Sequence, residues 1–190
     1  MSEKRELAIT ALSMSESHPG KYALILESVG TNKRIPLIIG ESEAQAIAIA
    51  MEKMTPSRPL THDLLLNLIV SFEATVVEVL IHSLIDGVFH AKIILKKQIG
   101  TVIELDARSS DAIALAIRSG APVYMHDALI DEAGFLAEMF FASQRKGSLA
   151  EYSIAELEDL LQKVIEKEDY ESAVRIRDYI DKRRAQLGDK

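Results

Sequence analysis

Short apolar runs bounded by polar turns mark the first part of the chain, and that pattern predicts strands. Leu7–Leu12 is the first, Tyr22–Glu27 the second and Arg34–Ile39 the third, separated by polar turns at Ser15–Gly20 and Gly30–Lys33. Pro36 has no N–H to give to a ladder, so the third strand belongs at an edge or a bulge. Together the three read as an antiparallel meander. The rhythm then changes. Ala44, Ile47, Ala48 and Met51 recur at helical spacing, which predicts a helix opening near Gly40–Glu43, with Ser42 as its cap and its end before Pro56. Thr61 caps a second helix, with His62 and Asp63 in the first turn and Leu64, Leu65, Leu68 and Ile69 as the buried stripe. Thr75–His82 and Phe89–Leu95 form a hairpin around Asp86-Gly87. A two-residue turn sets Ile81 against Lys92. A three-residue loop, Asp86-Gly87-Val88, sets Ile81 against Ile93, Val79 against Leu95 and Glu78 against Lys96. The second register keeps one face apolar and is the one expected, with Gly87 at positive φ.

The stretch that follows organises the chain. Val102, Ile103 and Leu105 read as a short buried strand, and Ala112–Ile117 as a helix covered on most sides. The corner between them holds Glu104, Asp106, Arg108, Ser109, Ser110 and Asp111. In one reading Arg108 pairs with a carboxylate and a serine hydroxyl caps the helix. In the other, the helix start and Arg108 face a phosphate. Asp111 already supplies negative charge to the first turn, which weighs against a bare anion site and leaves it free to hold a metal or act as a base. Gly120-Ala121-Pro122 ends the helix, Val123–Met125 makes a last strand, and residues 127–142 are helical with an interruption near Gly134. His82 and His90 fall in strands as packed or edge residues, whereas His18 and His126 fall in turns.

Beyond a polar stretch, Ser143–Ser148, the pattern differs in kind. Ile154, Leu157, Leu160, Leu161, Val164 and Ile165 form one helical stripe, and Tyr170, Ala173, Val174, Ile176 and Ile180 a second, across the charged turn 166–169. The fold class is therefore α+β: a mixed, mostly antiparallel sheet with packed helices, followed by a C-terminal α-helical hairpin. The expected divisions are a main domain at 1–142, a linker at 143–151 and the hairpin at 152–187.

Composition narrows the function. The chain has 190 residues and a net charge of −7, with 48% hydrophobic and 27% charged residues. Neither the main domain nor the tail carries the basic surplus of a salt-sensitive nucleic-acid binder, so bound nucleic acid calls for a local patch or a divalent cation. With no Trp and 5% aromatics, base stacking is not the main binding mode. The absence of cysteine excludes disulfides, thiolate metal sites and a cysteine nucleophile, and fits a reducing cytoplasm. The N-terminus has no signal-peptide core and no run is long enough for a membrane helix. Short aliphatic strands leave apolar surface to cover, which predicts a homo-oligomer.

Two resemblances sharpen this. Ile39-Gly40-x-Ser42-Glu43, Ala48-x-Ala50-Met51-Glu52-Lys53-Met54, Arg58-Pro59-Leu60-Thr61-His62-Asp63-Leu64-Leu65, Ile81-His82-Ser83-Leu84 and Arg108-Ser109-Ser110-Asp111-Ala112-Ile113-x-Leu115-Ala116 resemble the bifunctional nuclease (DNase/RNase) domain family. Arg108-Ser109-Ser110-Asp111 departs from that family's usual Arg-Pro-Ser-Asp without touching the charged pair. Asp169-Tyr170-Glu171-x-Ala173-x-x-Ile176-Arg177-Asp178-x-Ile180 resembles the UVR motif of excision-repair and protease-adaptor proteins. The first resemblance implies phosphodiester hydrolysis in DNA and RNA. The second implies a hairpin, 152–187, that binds a protein partner.

Within these motifs, chemistry selects the candidates. His62, Asp63, Arg108 and Asp111 are the catalytic set, His62 moving a proton near neutral pH. Arg108, Ser109 and Ser110 bind substrate, the guanidinium gripping a phosphate bidentately. Glu43, Asp63 and Asp111 are the carboxylates for Mg2+ or another divalent cation, which activates water and neutralises phosphate charge; no organic cofactor is expected. Each has a duller role: Thr61-His62-Asp63 as cap and first turn, Glu43 as compensation of the helix dipole. The rival from another class is a non-catalytic oligomeric scaffold or regulator in which the motifs are folding determinants.

Overall fold

A computed structural model describes residues 3–15, 18–31, 33–133, 153–166 and 170–188. Its seven strands are β1 (Lys4–Met14), β2 (Tyr22–Ser28), β3 (Arg34–Ile39), β4 (Ala74–Ile85), β5 (Val88–Lys97), β6 (Val102–Arg108) and β7 (Val123–His126). They form one sheet in the order β3-β2-β1-β7-β4-β5-β6, antiparallel except where β7 joins β4. The fold is α+β, with a mostly antiparallel sheet. The meander β1-β2-β3 forms, and Pro36 lies on the edge strand β3, where its missing N–H costs no ladder bond. His126 closes β7 and does not lie in a turn.

Helices α1 (Glu41–Met51), α2 (Thr61–Ser71) and α3 (Ser109–Ser119) pack on the sheet. Residues 127–133 are helical too; the rest of the helix expected to 142 and the linker 143–151 lie outside the described residues. α3 is central. It lies over β4, β5 and β6 and is flanked by α1 and α2, so Ala112 to Ala116 are buried without a break. Small alanines let the neighbouring backbones approach on several sides.

The hairpin β4–β5 corrects the expected register. Ile85 pairs with Val88 across a two-residue turn, with Asp86 at φ 51° and Gly87 at φ 75°. Both central residues are left-handed, the geometry that matches strand twist. Ile81 nevertheless pairs with Ala91, not Lys92, and Val79 with Ile93, because the register shifts between Ile81 and Ser83. A bulge thus keeps Val79, Ile81, Ala91 and Ile93 on the core face.

Two further expectations are corrected. β6 is an edge strand with Val102 and Leu105 exposed, not a buried one. On α2 the buried residues are His62 and Ile69, whereas Leu64, Leu65 and Leu68 are exposed.

The chain divides into two compact units, Met1–Ala137 and Glu138–Lys190. In the second, α4 (Ile154–Glu166) and α5 (Tyr170–Gly188) form the expected hairpin. Leu157, Val164, Ala173, Ile176 and Ile180 are its buried residues, and Ile154, Leu160 and Leu161 pack against them. Ile165 and Val174, assigned to the stripes, are exposed. Residues 167–169 of the charged turn lie outside the described residues.

Candidate functional site

The first turns of α1 and α3 meet at one guanidinium, and the first turn of α2 joins them through Asp111. Glu43 lies in the first turn of α1, His62 is the second residue of α2, and Asp111 lies in the first turn of α3. Arg108, the residue before α3, donates from Nε to Asp111 Oδ2 at 2.6 Å and from Nη2 to Asp111 Oδ1 at 3.1 Å. Its Nη1 reaches Glu43 Oε1 at 2.9 Å. His62 Nε2 lies 3.2 Å from Asp111 Oδ1. Glu43, His62, Arg108 and Asp111 therefore share one cluster, although they come from three helices and a strand end.

Local structure explains this placement. The β6–α3 corner aims Arg108 outward from an extended backbone, φ −64° and ψ 142°. Neither serine caps α3: the N-cap is Arg108, without a side-chain cap bond, and the Ser109 hydroxyl donates to Phe89 O at 2.7 Å. That bond ties the start of α3 to β5. Ser110 is buried. Gly40, not Ser42, is the N-cap of α1, and a Cβ at Gly40 would meet the Glu43 carboxylate. Leu60, not Thr61, is the N-cap of α2.

Asp63 faces elsewhere. Its carboxylate accepts the Leu60 N–H at 2.9 Å and Arg118 Nε at 2.6 Å. Arg118 is 7% exposed at its side chain and also donates to Ala114 O and Ala46 O. It clasps α1, α2 and α3 from within. Sequence reasoning missed this residue. Its signal was one cation in an otherwise apolar helix, near the C-terminal end where positive charge is favoured.

The electrostatics follow the contacts. Burial pushes the Asp111 carboxyl up, but hydrogen bonds from Arg108 and His62 outweigh it and hold the group below the ordinary carboxylate range. The Asp63 carboxyl is held low too, first by the Leu60 N–H and then, against some desolvation, by Arg118. Arg108 is held more firmly protonated by Asp111. The ionised Asp111 carboxylate only accepts, so His62 Nε2 carries the hydrogen of this contact, and His62 Nδ1 is buried without a partner. Arg108 remains 67% exposed at its side chain, and one hydrogen on each of Nη1 and Nη2 is left for a ligand.

Of the three carboxylates expected to hold a metal, Glu43 and Asp111 face one guanidinium and Asp63 does not join them. Among the described residues no three His, Asp or Glu side chains form a group spaced to hold a metal ion.

Two helix starts bridged by an exposed arginine and a third tied to them through Asp111, beside a mostly antiparallel sheet, define an α+β domain with a solvent-facing charged corner. The bifunctional nuclease domain model matches residues 24–138 and the UvrB/uvrC motif model residues 151–186. The chain belongs to the bifunctional nuclease domain family and carries a UVR motif after it. It is similar to two Mycobacterium tuberculosis proteins, uncharacterized protein MT1877 (strain CDC 1551 / Oshkosh) and uncharacterized protein Rv1829 (strain ATCC 25618 / H37Rv). Each is 37% identical over 121 residues, 64% of this chain and 71% of the relative.

Proposed function

We propose that this protein is a cytoplasmic nuclease that hydrolyses phosphodiester bonds in DNA and RNA at the Glu43–His62–Arg108–Asp111 corner. The observation that carries the reading is the meeting of the first turns of α1 and α3 at an exposed guanidinium, with the first turn of α2 joined to them by the His62–Asp111 contact. Each helix start contributes a partial positive charge of about +0.5, which offsets the two carboxylates and favours an anion. Arg108 is the phosphate contact, using its free hydrogens while Nε and Nη2 keep Asp111 in place. Asp111 is the base that orients water and takes its proton as the water oxygen bonds to phosphorus and the P–O bond to the leaving oxygen breaks; the leaving oxygen takes its proton from solvent. His62 positions Asp111 and compensates its charge through Nε2. Ser109 and Ser110 shape the phosphate-facing corner, and Asp63 holds the start of α2 so that His62 keeps its place. Glu43 and Asp111 are the pair that would hold Mg2+ or another divalent cation, recruited with the phosphate because two carboxylates alone make a weak site. Bound there, such a cation neutralises phosphate charge and activates water.

The hairpin is the protein-binding element of the proposal. Ile165 and Val174 stay exposed on it, supplying apolar contacts for a partner. Membrane insertion is no part of the reading: among the described residues no helix is long and apolar enough to cross a membrane.

A second reading, a non-catalytic scaffold or regulator, is favoured by one observation. Both carboxylates are already bound by Arg108, so the cluster also works as a clasp between α1 and α3.

Extensively purified protein incubated with single-stranded DNA and with RNA, with and without Mg2+, separates the two. The expected result is Mg2+-dependent cleavage that falls about 100-fold or more in Arg108→Ala and in Asp111→Asn. Folded variants that cut as fast as the wild type remove the site assignment. A wild type that cuts neither substrate removes the enzyme reading and leaves the clasp.

A further inference from the structure

We propose that one rung of the sheet, Lys4–His126–His82–His90–Arg108, is a track for the phosphates of a single-stranded nucleic acid on its way into the Arg108 corner. The proposal rests on the nuclease reading and gives it a binding surface. The rung is read from the strand pairing. Lys4 of β1 pairs with His126 of β7, and His90 of β5 with Arg108 of β6. Ile81 pairs with Met125, so the next residues of these parallel strands, His82 and His126, are neighbours. On its other side, His82 is the extra residue between the pairs Ile81–Ala91 and Ser83–His90. Ile81, Ala91 and Met125 belong to the core, so the histidines next to them in sequence take the opposite face. His82 feels the charges of Lys92, His90, Asp106 and His126 there.

This rung is the local basic patch that the acidic composition calls for. With strands about 4.8 Å apart, its four steps span about 19 Å. Two residues along the same strands the character changes. The next rung reads Glu6–Tyr124–Leu80–Lys92–Asp106, and after it Glu78 pairs with Ile94 and Ile94 with Glu104. The basic line is thus one residue wide, with carboxylates beside it. Such a line attracts one phosphate backbone and repels a second, so it fits a single strand and not a duplex.

The ends of the rung share their charge, Lys4 with Glu78 and Arg108 with Glu43 and Asp111. The three histidines make no hydrogen bond or ion pair among the described residues. His82 Nε2 and His126 Nδ1 are buried without a partner, so each ring keeps its other nitrogen for a ligand. Burial, with the charges of Lys92, His90 and His126, holds the His82 ring below the ordinary histidine range, against the opposite pull of Asp106. Glu104, the other carboxylate on this side, is held by Lys92. Phosphate oxygens alongside favour the protonated rings, so binding takes up protons and affinity rises as pH falls.

Fluorescence anisotropy of a short labelled oligothymidylate with the full chain, in EDTA so that nothing is cut, tests the track. Affinity should rise about 10-fold from about pH 8 to about pH 6, and each added phosphate contact should steepen the log–log salt dependence by about 0.7. The triple variant His82→Gln/His90→Gln/His126→Gln should lose that gain. An affinity that ignores pH, or a triple variant that keeps the gain, overturns the proposal. So does equal binding of the same oligonucleotide in a duplex, or of an oligoglutamate peptide, which marks a general anion face. Should the triple variant fail to fold, Lys4→Gln decides: the salt slope should fall by about 0.7, and an unchanged slope overturns the track. The nuclease reading fails separately. Binding with this pH dependence but no Mg2+-dependent cleavage supports the track and removes the enzyme, whereas cleavage with pH-independent binding removes the track alone.

Discussion

Asp63 and Arg118 form a largely enclosed ion pair in the main unit. Arg118 is nearly enclosed, and its guanidinium serves three helices at once. Removing the carboxylate strands a buried cation, which costs far more than the pair itself contributes. Asp63→Asn is therefore expected to lower stability by about 3 kcal/mol in urea unfolding at neutral pH. The pH dependence has a definite sign. The folded Asp63 carboxyl titrates below its ordinary value, so the unfolded chain takes up the proton first as the solution is acidified. Its stabilisation is complete above about pH 4 and is lost as pH falls through the lowered folded value. The gap between wild type and Asp63→Asn should thus narrow on acidification below about pH 4, and a gap of constant size would contradict the assignment. Glu43, His62, Arg108 and Asp111 were legible as a group because each sits in a dense polar motif beside an apolar run. The direction of Asp63 was not. Neighbours in a helical turn point about 100° apart, so His62 and Asp63 cannot share a target, and only the three-dimensional position of Arg118 reveals the second one.

The elements were easier to place than their faces. Alternation located the hairpin and positioned Gly87, yet it missed the register, because a strand with an extra residue breaks the count silently. Between Ile81 and Ser83 that extra residue restores the apolar face which a two-residue turn alone would have flipped. The turn itself is demanding. Gly87 sits at φ 75°, a region β-branched residues avoid. Gly87→Val should cost about 1–2 kcal/mol in chemical denaturation, whereas Gly87→Asn should cost less, since asparagine tolerates that conformation better. Equal losses for the two variants would show that side-chain bulk, not φ, is the cause. α2 failed in a related way. Its apolar arc is wide enough to be buried on either edge, and periodicity gives the arc without saying which edge meets α3. β6 read as buried for the same reason: β-branched residues suit an edge strand as well as a central one.

At the scale of the whole molecule, the two units keep separate cores. Among the described residues the main cluster draws on residues from Leu7 to Ala133 and the hairpin cluster on residues from Leu157 to Ile180, and none of them belongs to both. Two helices joined by a short turn bury little, and pieces of this size depend on a docking surface or a partner for stability. In the sequence a polar stretch, 143–148, separates a β-rich pattern from a purely helical one. Calorimetry of the full chain should then show two transitions, the smaller one at lower temperature. Truncation after Ala137, where the first unit ends, should remove only the smaller and leave the larger within about 2 °C, a shift that corresponds to well under 1 kcal/mol for a domain of this size. The same truncation should leave cleavage of single-stranded DNA and RNA intact while abolishing capture of the hairpin's protein partner. A main transition that drops by much more than this would mean that the hairpin supplies part of the first unit's stability. The exposed Ile165 and Val174 would then face the chain's own domain and no longer count as a free surface for another protein.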